Sequence, residues 1–249
     1  MRKTKKILSV ALASTMVLSL AACGGKSTTE TTQAAAETTA AAESSAAETT
    51  AEADGFNLAV CLASEPQTMD PALNSTVDGA IMTQHMFEGL AKYVNDGNGN
   101  AQIVAGQAES WEKVVNDDGT VTYTFKMRPD AKWSDGQKVT AGDFEYSWKR
   151  LANPQTAADY TYMIDMVKGY QEIQDGADPD TLAVKAIDDD TLEITLSYDC
   201  PYFEDVLAFL ATLPVRQDVV EGNEEWTYDP STSPTVHTSW LSGPTTHIS

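Results

Sequence analysis

The chain has 249 residues and a formal net charge of −21 at pH 7, with 37 Asp and Glu against 16 Lys and Arg. Hydrophobic residues make up 42% of it, enough for a domain-sized core. So acidic a surface argues against nucleic acid as a partner, and the cysteines lack any C-x-x-C or Cys/His metal spacing.

At the N-terminus Arg2, Lys3, Lys5 and Lys6 precede an apolar run over residues 7–20 that holds no acidic residue. That run is too short and wrongly flanked to span a membrane. It ends in Leu20-Ala21-Ala22-Cys23-Gly24, the pattern of a bacterial lipoprotein signal cut just before a cysteine that becomes acylated. Residues 1–22 are therefore expected to be removed, and loss of the four basic residues takes the net charge from −21 to −25. Cys23 is expected to carry the lipid and hold the protein at the outer face of the cell membrane. An ordinary secretory signal with an incidental cysteine is the alternative. Residues 23–54 form the tether: from 26 onward they are almost entirely Ser, Thr, Ala, Glu and Gln, with nothing large and apolar to bury. As a flexible coil it would reach about 30 Å.

From residue 55 to 231 the composition turns globular. Phe56, Leu58 and Val60 alternate as in a strand, and residues 77–90 carry Ile81, Met82, Met86 and Leu90 at helical spacing. Asn95-Asp96-Gly97-Asn98-Gly99-Asn100 has the look of a calcium loop, but Gln107 stands where a bidentate carboxylate is needed, so a hairpin turn is expected. After the Asp118-Gly119 turn, Val121, Tyr123, Phe125 and Met127 alternate in a half-buried strand that Pro129 stops. Thr140 and Asp143 approximate a capping box, with Phe144, Ser147, Trp148 and Leu151 on one face behind it. Leu182, Val184 and Ile187 lead through Asp188-Asp189-Asp190 to Leu192, Ile194 and Leu196, a second hairpin. Pro201 opens a last apolar helix running to Leu213. Cys61 and Cys200 are read as buried free thiols, with a disulfide left open. Such an order of strands and helices implies an α+β fold.

Several phrases go further. Glu65-Pro66-Gln67-Thr68-Met69-Asp70-Pro71, Phe87-Glu88-Gly89-Leu90 and Ala108-Glu109-Ser110-Trp111 come first. Ala131-Lys132-Trp133-Ser134-Asp135-Gly136, Val139-Thr140-Ala141 with Asp143-Phe144, and Tyr146-Ser147-Trp148-Lys149-Arg150 follow. Then come Val184-Lys185-Ala186-Ile187-Asp188-Asp189 and Pro201-Tyr202-Phe203. Taken in series these resemble the opening of family 5 extracellular solute-binding proteins, the oligopeptide-binding proteins being the nearest type.

The resemblance implies an α+β, two-lobed, periplasmic-binding-protein-like clamp (class II), of which this chain holds the first lobe and an extra subdomain at about 91–200, with the second lobe missing. It implies capture of a peptide by main-chain hydrogen bonds between the lobes, delivery to the permease and ATPase subunits of an ABC importer, and a monomer without cofactor or metal. Carried over by motif position, Ser75, Thr76 and Val77 follow Asp70-Pro71 at the ligand, and Tyr160 matches a family tyrosine at the peptide. Phe209 stands where a relative places a polar pocket residue. Each has a plainer reading: Tyr160 and Phe209 as core aromatics, and the stretch around Ser75 as a helix cap.

Relatives of this type also bind dipeptides, nickel complexes, haem or oligosaccharides. A surface hydrolase is a remote alternative, since there is no G-x-S-x-G, H-E-x-x-H or Gly-rich phosphate loop. Residues 232–249 depart from the family, which has an Asn-Gly-Pro-Tyr phrase there. Read from the third base of each codon, residues 232–238 permit Ile-Ser-Asn-Gly-Pro-Tyr, and 241–243 permit Glu-Trp. The tail is therefore expected to be out of frame.

Overall fold

The computed structural model describes residues 61–223 and 226–228. The signal, Cys23, the tether, the strand expected over residues 56–60 and the tail after 231 lie outside the described residues.

The first helix, α1 (Val77–Met86), starts where Thr76 Oγ1 accepts a hydrogen bond from Gly79 N. Two hairpins follow. β1 (Ala91–Asn95) pairs with β2 (Ala101–Ala105), and β3 (Ala108–Val115) with β4 (Val121–Met127). The helix α2 (Ala141–Ala152) comes next, then short 3-10 turns at Pro154–Thr156 and Thr161–Ile164 and the helical turn α3 (Tyr170–Gln174). A 3-10 turn at Pro179–Thr181 leads into the hairpin of β5 (Val184–Asp188) and β6 (Thr191–Leu196). The chain continues through α4 (Phe203–Val206), a 3-10 turn at Leu210–Thr212, α5 (Gln217–Val220) and a 3-10 turn at Trp226–Tyr228.

Among the described residues, all strand pairing is antiparallel, in a two-stranded sheet β1-β2 and a four-stranded sheet ordered β3-β4-β6-β5. In β4 the pattern expected from sequence holds: Val121, Tyr123, Phe125 and Met127 are buried. α2 lies over β5 and β6, and its inner face of Phe144, Ser147, Trp148 and Leu151 is buried, as its spacing predicts. Its capping box is complete, Thr140 Oγ1 accepting from Asp143 N while Asp143 Oδ2 accepts from Thr140 N at 2.8 Å. Phe203 joins the layers, with ring centroids 4.7 Å from Tyr123 and 6.2 Å from Trp148. Each buried ring of this size contributes about 1.5–3 kcal/mol relative to exposure.

Four expectations need correction. α1 ends at Met86, four residues short of Leu90, because Phe87 is already extended (φ −123°, ψ 154°). Its buried residues are Gly79 and Thr83, whereas Ile81 is 39% and Val77 76% exposed. The contact side of this helix is small and polar: a Cβ on Gly79 would lie 2.4 Å from Asn74 Oδ1, and Asn74 Nδ2 donates to Thr83 Oγ1.

The helix expected over 201–213 is broken into α4 and a 3-10 turn, with Phe209 extended between them. Thr212 Oγ1 takes the carbonyls of Val206 (2.7 Å) and Phe209 (2.8 Å), and Ala91 N donates to Leu207 O, so the helical ladder has lost its acceptors. Leu182 is buried but precedes β5, and Ile187 is 52% exposed because a bulge between Ala186 and Asp188 breaks the alternation. Cys200 is a buried free thiol, as read, but Cys61 is an exposed one.

Candidate functional site

The loop before α1 is built by its own side chains. Asp70 O accepts from Leu73 N and Asn74 N, Asp70 Oδ1 accepts from Ala72 N, and Asn74 Oδ1 accepts from Thr76 N (2.9 Å) and Thr76 Oγ1 (3.1 Å). Such local bonds favour a turn over helix or strand. Ser75 and Val77 are left exposed at the helix start, while Thr76 serves as the N-cap.

Tyr160 and Phe209 are brought together. Their rings meet edge to face, with centroids 5.4 Å apart and planes at 90°, a favoured aromatic geometry. Each stands at the start of a 3-10 turn. Tyr160 O accepts from Met163 N, and Phe209 O accepts from Thr212 N and Thr212 Oγ1. Both rings are partly buried against the core. Tyr162, which the sequence reading did not single out, extends the series: its ring is 6.2 Å from that of Tyr160 and it is 56% exposed. No spacing signal in sequence points to it. α1 packs against Leu210–Thr212, the turn that Phe209 opens. The segment that begins with Ser75, Thr76 and Val77 and the aromatic corner thus belong to neighbouring elements.

The tryptophan phrases are structural. Trp133 is buried, and its Nε1–H donates to Asp143 Oδ2 at 3.3 Å. Asp135 accepts from Gln137 N across the Gly136 turn (φ 89°) and pairs with Arg216. Trp148 Nε1–H donates to Thr212 O at 3.2 Å, tying α2 to the turn beside Phe209. Asn95–Asn100 is a hairpin turn, as expected: Asp96 accepts from the Asn100 side chain and from Asn98 N and Asn100 N, bonds that hold its carboxyl down at about 2.

A groove of about 830 Å³ lies elsewhere, beside α2, with Asp70, Tyr146, Arg150, Asp180, Glu221 and Trp226 in its lining. None of the five ligand residues expected from sequence lines it. Its cations are already matched: Arg150 pairs with Asp70, and Lys149 with Glu145 and Asp180. That makes it a seam of ion pairs and not a set of free recognition groups.

The profile of the bacterial extracellular solute-binding proteins, family 5 Middle, matches residues 102–240. The chain belongs to this family. The family 5 chain is 44% identical over 168 residues to the periplasmic oligopeptide-binding protein OppA of Escherichia coli, a match covering 66% of this chain and 30% of that protein. It is 36% identical to the oligopeptide-binding protein OppA of Bacillus subtilis, over 68% of this chain and 30% of that one. The crystal structure of Haemophilus influenzae OppA in complex with RPPGFSPFR superposes with a TM-score of 0.60 at 36% identity, covering 66% of this chain and 31% of that one. The family 5 chain therefore spans about 30% of the length of the curated relatives it matches. These relatives are solute-binding proteins, not enzymes, and their fold is that of the periplasmic binding proteins.

Proposed function

We propose that the protein is the peptide-capturing component of an ABC importer, displayed outside the cell on a lipid at Cys23. Ser75, Thr76, Val77, Tyr160 and Phe209 would contribute to the ligand face. What carries the reading is that the solved relative sharing this chain's fold at 36% identity is in complex with a nonapeptide. The local chemistry agrees with it. Exposed residues at a helix start, beside partly buried aromatic rings, suit a ligand held through its main chain. Delivery to permease and ATPase subunits, and the monomeric state, belong to the same proposal.

Calorimetry with tri- to pentapeptides is the test. Saturable heat with peptides, and none with a nickel complex or an oligosaccharide, is the expected result. Binding confined to one of those other solutes would replace the peptide reading, and turnover of a peptide would replace the non-enzymatic one. Mass spectrometry of the N-terminal peptide from membranes tests the anchor, with a diacylated Cys23 expected and an unmodified Met1 or Cys23 ruling it out.

A further inference from the structure

Resting on the peptide-binding reading, we infer that the corner formed by Tyr160 and Phe209, with Tyr162 at its open side, selects a ligand side chain that is aromatic. The rings of Tyr160 and Phe209 stand at right angles 5.4 Å apart, and Tyr162 continues the series at a 59° tilt. The first two are backed by the core, so their orientation is set before any ligand arrives. Their backbones are held as well: Thr212 binds the Phe209 carbonyl through both its N–H and its hydroxyl, and Trp148 in turn holds Thr212 O.

Three features make this a recognition surface. Tyr162 is 56% exposed, an apolar area left open to water beside a fixed ring pair. Among the described residues, neither the Tyr160 nor the Tyr162 hydroxyl is hydrogen-bonded to another side chain, so both polar tips can meet a ligand or its hydration water. The chain neighbours on either side, Asp159 and Asp165, are exposed acids, which disfavour an anionic side chain at the same place. A ring inserted here gains edge-to-face contacts with partners already ordered. An alanine methyl reaches only a fraction of that surface, and a glutamate meets like charge.

The test is an NMR titration of the chain with Ala-Phe-Ala, Ala-Ala-Ala and Ala-Glu-Ala, repeated on Tyr162→Ala, Phe209→Ser and, as a check that the core survives, Phe209→Leu. Ala-Phe-Ala is expected to bind about tenfold more tightly than Ala-Ala-Ala, with the largest shifts at residues 160–162 and 209. Tyr162→Ala should remove most of that margin while Ala-Ala-Ala changes less than about twofold, and Phe209→Ser should weaken Ala-Phe-Ala more than it weakens Ala-Ala-Ala. Equal affinities for the three peptides, or equal losses for Ala-Phe-Ala and Ala-Ala-Ala in both variants, would overturn the selectivity and leave peptide binding standing. If no peptide shifts any resonance in residues 75–77, 160–162 or 209, the peptide reading of this chain falls and the selectivity with it.

Discussion

Arg150, in the last turn of α2, grips Asp70 with both arms of its guanidinium, Nη1 to Oδ1 at 2.9 Å and Nη2 to Oδ2 at 2.6 Å, across 80 residues of sequence. The Asp70 side chain is 2% exposed and that of Arg150 16%. The same carboxylate fixes the turn at Ala72, so this one pair sets where the loop leading to α1 leaves the body of the fold. Two-pronged geometry makes the pair strong. Removing one member strands the other without a counter-charge, which costs more than the pair itself contributes.

Asp70→Ala is therefore expected to destabilise the protein by about 3 kcal/mol, a fall of roughly 10 °C in Tm for a domain of this size. The double variant Asp70→Ala/Arg150→Met should recover part of that loss, because no unpaired charge remains buried. Urea denaturation of the four proteins in the cycle measures it, and strict additivity of the two single changes would contradict the coupling.

The phrase Phe87-Glu88-Gly89-Leu90 owes its glycine to a backbone crossing. Gly106 N donates to Leu90 O (2.9 Å) and Gln107 N to Gly89 O (2.8 Å), while a Cβ at Gly106 would lie 2.4 Å from Gly89 O and one at Gly89 2.4 Å from Leu207 O. Gly106→Ala and Gly89→Ala should each cost about 1–3 kcal/mol through forced backbone shifts. Gly97→Ala, with open space around it and φ 83°, should cost only its left-handed backbone penalty, about 1 kcal/mol. Thermal melts that rank Gly97→Ala as the worst of the three would refute the crossing as the cause.

What was legible in the sequence tracks how one-sided the burial is. β4, α2 and β6 each bury one face, so Tyr123, Phe125, Trp148 and Ile194 recur with the period of their element. α1 and the segment after Pro201 failed for a shared reason. Their form is set by particular hydrogen bonds, Asn74 to Thr83 in one and Thr212 to Val206 with Ala91 to Leu207 in the other, which leave no periodic trace. At the site, motif position singled out Tyr160 and Phe209, but their edge-to-face contact and the part of Tyr162 in it depend on two turns far apart in the chain.

Asp143 gives a pH dependence whose sign is fixed by burial. Desolvation raises its pKa above the ordinary carboxyl value, outweighing the bonds it accepts from Thr140 and Trp133. The folded state thus holds this proton more tightly than the unfolded chain, where the value is about 3.9. The resulting stabilisation is full below the unfolded value and is lost as pH rises through the raised folded one. Asp143→Asn keeps an oxygen acceptor and removes the charge. Its stability relative to the parent should improve as pH rises from 3.5 to 7, whereas Asp143→Ala, which loses the cap, should be about 1 kcal/mol worse at neutral pH. Denaturation curves in which the Asn variant and the parent stay parallel across that range would show that burial does not govern this carboxyl.

At the start of α1, stability and binding should separate residue by residue. Thr76 Oγ1 accepts from Gly79 N and donates to Asn74 Oδ1, so Thr76→Ala removes the helix cap and is expected to cost about 1 kcal/mol. Val77 is 76% exposed and contributes almost no burial, so Val77→Ala should leave the denaturation midpoint within about 0.5 kcal/mol of the parent. If the loop after Asp70-Pro71 forms part of the ligand face, the order reverses in a peptide titration. Val77→Ala then weakens binding with stability unchanged, and Thr76→Ser, which keeps the cap oxygen, leaves both close to the parent. A Val77→Ala protein that binds peptide as the parent does would make the segment a capped helix start and nothing more.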